Sequence, residues 1–449
     1  MSKKSLEKTI KPTEKAFLVG AEIAGEKVNL PIEESLAELS LLADTAGLEV
    51  VGTMTQKLSH INPQTYLGSG KVEELKLLCA ETDAAVVIFD NELSPRHQRE
   101  LEEILFPAVR VLDRTAVILD IFAQHANTAE GILQVELAQY EYFLPRLTRQ
   151  WTHLARQGGG GGGRSGGVGG VGLRGPGETQ LEVDRRQIRG KIAHLKMELE
   201  KVSQHRQRYR AQRKRSKIPT IALVGYTNAG KSTLLNKLTN STVYVANQLF
   251  ATLDPTTRRV TLPGGNIGLF TDTVGFIQKL PTTLVEAFHA TLEEITEAEL
   301  LLHVVDSSHP NAIEQYQSVS ETLKQIGAGD IPQVVVLNKI DKLSSSPSFN
   351  FEPFAKALRV SAKTGDGLAA LIDQVKDELY ENFVSIRLFL PYQEGNLISV
   401  FHESGQVEEI THVRGGVRIA GKIPGRLYTR YAPFLAKESK LETEEPENA

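Results

Sequence analysis

The chain has 449 residues and a formal net charge of −4, with 41% hydrophobic and 24% charged residues. That length suffices for about three domains with real cores, and the composition is that of an ordinary globular protein. The single cysteine, Cys79, excludes an intrachain disulfide and a cysteine-cluster metal site. No apolar run approaches the ~20 residues of a membrane span, and the polar start lacks the apolar core of a signal peptide. We therefore expect a cytoplasmic protein, with peripheral association with a membrane left open.

The charge is unevenly distributed. Residues 184–217 contain thirteen Lys/Arg and three Asp/Glu, a net charge of +10, so the rest of the chain is acidic. A basic segment of this kind favours a polyanionic partner.

Strand-like and helix-like patterns alternate along the first 150 residues. In chain order they predict a strand at 16–20, a helix at 35–46, a strand at 48–52, a helix at 71–80, a strand at 84–90, a helix at 94–105, a strand at 109–112 and a long helical pattern from 115 towards 144. This alternation predicts an α/β domain with a parallel sheet over residues 1–156. Within it, the sequence LGSGK at 67–71 opens a helix. A turn with a helix cap explains that sequence better than a phosphate site, because no second spaced glycine box accompanies it.

Residues 157–178 are too rich in glycine to form a packed core, which predicts a mobile loop. A plain linker is one interpretation of this loop. Against it, arginines lie at the edges of the loop and within it. Residues 179–217 show a long helical pattern rich in Lys, Arg and Gln, for which we expect a helical hairpin that breaks near 203–205. A charge run is usually a solvated helix face, yet the excess of one sign makes nucleic acid an equally good explanation.

The remaining chain divides into three predicted parts. Residues 218–382 form a nucleotide-binding domain, and apolar runs at 384–390, 397–401 and 407–413 predict a small α/β domain over 383–436. Residues 437–449 are acidic and polar, which is typical of a disordered tail.

The clearest motif lies between residues 221 and 235. An apolar run ends at a glycine, and the pattern G-x-x-x-x-G-K-[ST] leads from it into a helical segment. In such a loop the backbone N–H groups surround a polyphosphate, the lysine reaches the outer phosphates and the serine hydroxyl ligates Mg²⁺. The predicted nucleotide-binding residues are Gly225, Tyr226, Thr227, Asn228, Ala229, Gly230, Lys231, Ser232 and Thr233. The amide oxygen of Asn228 is also a candidate to help K⁺ bridge the phosphates, simple loop-turn chemistry being the alternative.

A second motif, D-x-x-G, follows a strand-like run at 269–271 and consists of Asp272, Thr273, Val274 and Gly275. Its carboxylate holds Mg²⁺ through water, and its glycine N–H senses the γ-phosphate. Ras-like switches place a water-orienting glutamine next, but this chain has Phe276. Because a phenyl ring cannot orient water, we expect slow intrinsic hydrolysis that a partner or an ion stimulates.

Two further motifs read the base. An apolar strand at 333–337 ends in Asn338, Lys339, Ile340 and Asp341, and a short strand at 357–360 ends in Ser361, Ala362 and Lys363. A carboxylate at Asp341 accepts from N1–H and the 2-amino group of guanine, a donor pair that adenine lacks. The Ala362 N–H is placed to meet the guanine carbonyl. The combined motifs predict a GTPase domain.

Switch I must lie between the phosphate loop and Asp272, and it needs a hydroxyl for the Mg²⁺ shell. Residues 250–257 offer three threonines, and spacing alone does not choose among them.

The sequences GYTNAGKST, FATLDPT, DTVGFI, NKID and SAK, preceded by the glycine loop and GPGETQLEVDRR, resemble the HflX GTPases over nearly the whole chain. The expected fold class is α/β, with an N-terminal parallel-sheet α/β domain, a basic helical hairpin linker, a Ras-like P-loop G domain and a small C-terminal α/β domain. The resemblance implies that Thr252 is the switch I metal ligand beside Ser232 and Asp272. It places Phe250, Ala251, Thr252, Leu253 and Asp254 at the nucleotide. The residues expected to act in catalysis are Lys231, Thr252 and Gly275.

The resemblance also implies partners. These are GTP and GDP, Mg²⁺, and the large ribosomal subunit with its rRNA, with stalled or idle ribosomes split or rescued under stress. It further implies ATP binding by the N-terminal domain, but this part of the sequence contains no matching phosphate-binding motif. A monomer is expected because the G domain has no apolar dimerisation stripe.

Other functions remain open at this point. One is a regulatory switch that controls a protein effector or a protease, and another is a GTPase of tRNA or rRNA maturation. A third makes the N-terminal domain an independent enzyme, but it contains no clustered acid/base or nucleophile set. His60, His97 and His125 each lack an evident partner in sequence, so we expect core or surface positions for them.

Overall fold

The computed structural model describes residues 13–25, 31–105, 109–147, 180–215, 218–239, 249–250, 252–263, 266–279, 289–343, 352–379, 383–424 and 427–435. The chain divides into two compact units, one of residues 1–260 with 269–366 and one of residues 261–268 with 367–449. These two units do not test the domain boundaries predicted from the sequence, which therefore remain predictions. The predicted glycine-rich loop at 157–178 and the predicted acidic tail at 437–449 lie outside the described residues.

The first unit begins with a four-stranded parallel sheet in the order β2-β1-β3-β4. Its elements are β1 (Glu14–Ile23), α1 (Ile32–Thr45), β2 (Leu48–Leu58), α2 (Ser69–Thr82), β3 (Val86–Phe89), α3 (Pro95–Leu105), β4 (Arg110–Asp113), α4 (Arg114–His125) and α5 (Ala129–Phe143). The predicted parallel-sheet α/β fold is confirmed.

Helices cover both faces of this sheet, which explains why its inner strands are continuously apolar. Successive residues of a strand point to opposite faces. Leu18 and Ile88 therefore pack in the cluster that includes residues of α1, α4 and α5, whereas Val19 and Phe89 pack in the cluster of α2 and α3.

The long helical pattern expected from 115 towards 144 is two helices rather than one. The chain leaves the helical conformation at Ala126, and Thr128 caps the next helix by accepting a hydrogen bond from Gly131 N at 3.0 Å. A threonine at this position satisfies one of the unpaired N–H groups of the new helix.

Helix α6 (Gln180–Arg215) runs for 36 residues without interruption. The expected hairpin with a break near 203–205 is therefore wrong. The segment 180–215 contains no proline, and its only glycine, Gly190, lies in the middle of a helical run. Ile188 and Leu195 are buried, and Lys191 and Lys196 contact Tyr140 and Glu141 of α5.

A six-stranded sheet in the order β10-β9-β8-β5-β7-β6 forms the nucleotide-binding part. Its elements are β5 (Thr220–Val224), α7 (Lys231–Thr239), β6 (Thr256–Thr261), β7 (Ile267–Asp272), α8 (His289–Thr296), β8 (Leu300–Asp306), α9 (Ala312–Gln325), β9 (Gln333–Asn338), α10 (Glu352–Ala355) and β10 (Leu358–Arg359). The pairs from β10 through to β7 are parallel, so the carboxyl ends of β5, β7, β9 and β10 share one edge. Ligands of open α/β sheets bind at this edge.

The second unit contains an antiparallel sheet in the order β11-β13-β12. Its elements are α11 (Leu368–Leu379), β11 (Phe383–Pro391), α12 (Gly395–Ser404), β12 (Gln406–Val413), β13 (Gly416–Pro424) and α13 (Tyr428–Tyr431). Leu388, Leu390, Ile419, Phe401 and Tyr431 share its core. Across the described ranges, no helix combines the length and the apolar character needed to cross a membrane.

Candidate nucleotide site

The loop between β5 and α7 has a backbone that requires glycine at two positions. Gly225 has φ +150°, and a Cβ there would lie 2.2 Å from the carbonyl oxygen of Val304. Gly230 has φ +95°, and its Cβ would lie 2.4 Å from Nδ2 of Asn338. Asn228 is left-handed as well, at φ +58°, and is exposed. The loop can therefore turn tightly at these positions and approach a ligand closely with its backbone, as a phosphate site needs.

Lys231 starts α7 and is 6% exposed. Its Nζ donates to the carbonyl oxygens of Gly225 and Tyr226 at 3.0 and 2.9 Å. Burial lowers the pKa of Lys231 to about 8, and the nearby Asp272 opposes that shift. A buried cation whose side chain donates to backbone carbonyl oxygens suits a polyanionic ligand.

Three oxygen-bearing side chains converge at the carboxyl end of β7. Ser232 Oγ lies 2.8 Å from Thr252 Oγ1, and Asp272 Oδ2 accepts from both hydroxyls, at 2.6 and 2.9 Å. The other carboxylate oxygen, Asp272 Oδ1, is buried without a hydrogen-bond partner among the described atoms. Burial raises the pKa of Asp272, while the Ser232 hydrogen bond and the Lys231 charge oppose the rise. An all-oxygen set with one unsatisfied carboxylate oxygen fits Mg²⁺.

This cluster also chooses among the switch I threonines that the sequence left open. Thr252 lies in it, whereas Thr257 is in β6 and its Oγ1 lies 2.9 Å from Thr271 Oγ1 of the neighbouring strand. No cluster of three His, Cys, Asp or Glu side chains suited to a metal ion occurs in the described part of the chain.

The base-reading loops are tied to the phosphate loop by Asn338. Its Nδ2 donates to the Ala229 carbonyl at 2.9 Å, and its Oδ1 accepts from Ala362 N at 2.9 Å. The exposed Asp341 accepts a 2.6 Å hydrogen bond from Ser361, which lowers the pKa of its carboxyl. Asp341 is thereby kept ionised and oriented beside the phosphate loop.

The neighbours of these residues have supporting positions. Lys339 has φ +66° and its Nζ forms a 2.8 Å ion pair with Asp306. Ile340 begins the short 3₁₀ turn of the base loop and is half-buried, and Lys363 is exposed. Thr233 is half-buried in the first turn of α7.

The segment after β7 pairs with the phosphate loop through its backbone. Thr227 N donates to Phe276 O at 2.7 Å, and Phe276 N donates to Gly225 O at 3.1 Å. A Cβ at Gly275 would lie 2.8 Å from Thr227 Cα, so this close approach requires glycine. The Phe276 ring is buried in the apolar core, while Thr273 Oγ1 donates to the Leu223 carbonyl and Val274 packs against the same core.

The structure separates the five predicted switch I residues. Thr252 joins the oxygen cluster, Phe250 and Leu253 are buried in the core, and Ala251 lies outside the described residues. The carboxylate of Asp254 accepts hydrogen bonds from Asn127 N and Thr128 N.

Comparison with known proteins gives the family. Models described as GTP-binding GTPase N-terminal, GTP-binding GTPase Middle Region and 50S ribosome-binding GTPase match residues 33–123, 125–213 and 220–339. A GTPase HflX of Caldanaerobacter subterraneus subsp. tengcongensis is 43% identical over 96% of both chains. The chain belongs to the HflX GTPase family. Relatives of the same name from Alkalihalophilus pseudofirmus and Escherichia coli are 45% and 44% identical, over 88% and 87% of this chain and 89% and 90% of theirs.

Membership of the HflX family confirms the resemblance seen in the motifs. This chain is a GTPase that binds GTP and GDP and hydrolyses GTP, as the sequence predicts. The geometry shows how an HflX sequence arranges the phosphate loop, the oxygen cluster and the base loops on one sheet edge.

Sequence reasoning missed a polar network that links the phosphate loop to the N-terminal sheet. The Tyr226 hydroxyl donates to Glu38 of α1 and accepts from Gln278 N at 2.9 Å. The buried Arg114 pairs with Glu38 and, at 2.6 Å, with Asp90. Burial raises the pKa of Tyr226 to about 12 and lowers that of Arg114 to about 10, so neither group changes its charge near neutral pH.

One sequence signal pointed to this network. Asp90 and Arg114 follow β3 and β4, at the carboxyl edge of a parallel sheet. That edge is where open α/β sheets present functional side chains. In this HflX GTPase Asp90 is also paired with Lys279, three residues after Phe276.

Proposed function

We propose that this HflX GTPase binds the large ribosomal subunit through its rRNA and splits or rescues stalled or idle ribosomes under stress. The observation that carries the proposal is the uninterrupted basic helix α6, 36 residues long and so about 54 Å at 1.5 Å per residue. The description of the family model over 220–339 as a 50S ribosome-binding GTPase supports the same partner.

Among the side chains of helix α6 that the structure describes, one face is buried and apolar and another is exposed and basic. Ile188 and Leu195 are buried, and Arg186, Arg189 and Lys201 are exposed. The buried face fixes the helix, and we propose that the basic face contacts RNA phosphates. Such contacts recognise the shape of an RNA helix rather than its sequence, and they weaken steeply as salt rises.

For GTP binding and hydrolysis we propose specific roles on the sheet edge. Lys231 contacts the outer phosphates, the Gly275 N–H senses the γ-phosphate, and Asp341 selects guanine. Ser232, Thr252 and Asp272 hold Mg²⁺, which neutralises the charge that develops on the phosphates. Because the Phe276 ring is buried and has no polar atom, the stimulation of hydrolysis comes from the ribosomal partner or from K⁺, which Asn228 would help to bridge the phosphates.

We also propose that this chain acts as a cytoplasmic monomer. Its parts are the N-terminal α/β domain at 1–156, the glycine loop at 157–178, the basic linker at 179–217, the G domain at 218–382, the small C-terminal domain at 383–436 and the acidic tail at 437–449.

The proposal is tested by measuring GTP hydrolysis with and without purified large ribosomal subunits, in K⁺ and in Na⁺ buffer. We expect subunits to stimulate the rate roughly 10³-fold or more, comparable with the low end of known GTPase activators. Lys231→Ala should lower the stimulated rate by roughly 10²–10³ while the variant still binds subunits. A higher rate in K⁺ than in Na⁺ supports the ion at Asn228.

Binding should also fall linearly on a log–log plot against salt concentration, with a smaller slope when Arg186 and Arg189 are replaced by glutamine. No stimulation, together with no binding at low salt, would discard the ribosomal proposal and favour a switch that controls a protein effector.

A further inference from the structure

The carboxylate of the switch I residue Asp254 contacts the N-terminal part of the chain rather than the oxygen cluster of the nucleotide site. Its Oδ2 accepts from the backbone N–H groups of Asn127 and Thr128, each at 2.9 Å. Its Oδ1 accepts from the Thr128 hydroxyl. One carboxylate therefore receives three hydrogen bonds from the two residues that precede helix α5.

Bonds from N–H groups to an ionised carboxylate are about twice as strong as those between neutral groups. Asp254 also lies at the positive end of a 15-residue helix, which favours an anion. Thr128 accepts from Gly131 N while it donates to Asp254, so the helix cap and the switch I contact share one hydroxyl.

The other flank of Thr252 is anchored on the same domain. The Phe250 ring lies 4.7 Å from that of Phe122 in α4, edge to face, and Phe250 is 3% exposed. Leu253 is buried in the apolar cluster that α4 and α5 help to form. Phe250 and Asp254 are each two residues from Thr252, so its position is constrained from both sides.

Gly131 provides independent support for a close fit at this point. A Cβ there would lie 2.3 Å from Asp254 Oδ1 and 3.1 Å from Thr128 Oγ1. Only glycine lets the carboxylate reach the helix start.

We propose that Asp254 is a positioning residue for GTP binding, which holds Thr252 in the oxygen cluster by bonding to the start of α5. The N-terminal domain thereby sets the affinity of the site for GTP over GDP, since the switch I hydroxyl completes the Mg²⁺ shell beside the γ-phosphate. The inference rests on the proposed role of Thr252.

The test measures the dissociation constants of a non-hydrolysable fluorescent GTP analogue and of fluorescent GDP, each at fixed saturating Mg²⁺. Asp254→Ala should weaken the GTP analogue roughly tenfold, in line with the loss of hydrogen bonds to a charged group. GDP affinity should stay within about twofold, and the Mg²⁺ concentration for half-maximal analogue binding should rise. Asp254→Asn, which keeps one acceptor oxygen, should restore much of the loss.

Gly131→Ala perturbs the same contact from the other domain, and it should reproduce the selective loss with switch I unchanged in sequence. Two variants serve as controls. Asp330→Ala removes an exposed carboxylate of the same unit, and Gly70→Ala adds a Cβ in the first turn of α2 where nothing lies within 4 Å. Both should leave the two affinities unchanged.

A double-mutant cycle decides whether Asp254 acts through Thr252. If it does, Thr252→Ala with Asp254→Ala together should be no weaker than Thr252→Ala alone. Additive losses, or equal losses for GTP and GDP, would overturn the inference while leaving Thr252 in place. An unchanged affinity ratio in Thr252→Ala itself would overturn both the inference and the proposed magnesium role. Should Asp254→Ala fail to fold, Gly131→Ala and Asp254→Asn carry the same comparison.

Discussion

Two glycine–lysine turns in this protein have similar sequences and different structures. LGSGK at 67–71 precedes helix α2, and NAGKS at 228–232 leads into helix α7. In the first turn Gly68 has φ −65°, and its N–H donates to the side chain of Gln56. In the second, Gly230 has positive φ, as does Gly225 three residues before the turn.

The two lysines differ as much as the glycines do. Lys71 Nζ donates to both carboxylate oxygens of Glu74 at 2.9 Å, one helical turn away. Lys231 is buried, and its Nζ donates to the backbone carbonyl oxygens of Gly225 and Tyr226. A phosphate loop is therefore defined by glycines with positive φ and by a buried lysine that donates to backbone carbonyls, not by the residue types alone.

The largest effect should come from exchanging these lysines for alanine. Lys231→Ala removes the donor nearest the outer phosphates, and we expect GTP hydrolysis to fall by roughly 10²–10³, as for the loss of one strong transition-state donor. Lys71→Ala should leave the rate unchanged. Single-turnover kinetics on both variants checks this, and an equal loss in the two would contradict the comparison.

A second experiment changes the base instead of the phosphates. Asp341→Asn removes the carboxylate that we propose accepts from the two guanine donors, and GTP affinity should fall about 10²-fold, as expected for the loss of hydrogen bonds to a charged group. Xanthosine triphosphate carries a carbonyl where guanine has its amino group, so the new amide can donate to it and affinity for this nucleotide should rise. Competition binding measures both. Asp330→Asn is the matched control, and a parallel loss of both nucleotides would contradict the assignment.

Much of the nucleotide site was predictable because each motif is local. The G-x-x-x-x-G-K-[ST] loop, Asp272 and Asn338 each follow a buried strand, and parallel strands bring their carboxyl ends to one edge. The N-terminal sheet was predictable for the same reason, since β1 and β3 are apolar on both faces and therefore read as continuous runs.

What sequence could not supply is long-range pairing. Nothing near Asp254 indicates that its carboxylate meets Thr128, 126 positions earlier. Spacing alone does not choose Thr252 over Thr257, because the strand pairing of β6 is not visible in it, and only the family resemblance pointed to Thr252. The hairpin expected near 203–205 was wrong because Ser203 and His205 have only modest helix preferences and no proline or glycine forces a break there.

The glycines offer a smaller, stability-based test of the two turns. Gly230→Ala forces a left-handed alanine and pushes a Cβ against Asn338 Nδ2, so the bond from Asn338 to Ala229 is lost. We expect a loss of roughly 3 kcal/mol in unfolding free energy, from backbone strain and one buried hydrogen bond. Gly70→Ala, in an open helical turn, should cause no loss. Denaturant titration of both variants measures the difference, and equal stabilities would show that positive φ at Gly230 is not required.

The smallest expected effect is on the stability of the nucleotide-binding sheet at acidic pH. It depends on the buried His303 of β8. Burial, with a smaller contribution from the Lys231 charge, lowers the pKa of His303 to about 3. Below pH 6.5, the ordinary pKa of histidine, the imidazole is protonated in the unfolded chain but stays neutral in the folded chain. The contribution of His303 to the unfolding free energy is therefore fully present above pH 6.5 and is lost as the pH drops towards 3. Between pH 6.5 and 5 the protonation of this single group lowers the unfolding free energy by about 2 kcal/mol.

His303→Leu should flatten that part of the stability profile relative to wild type, whereas replacing the exposed His60 by glutamine should not. Chemical denaturation of the variants at the two pH values measures the difference. If the His303→Leu profile stayed as steep as that of wild type, the acid sensitivity would have to come from groups other than His303.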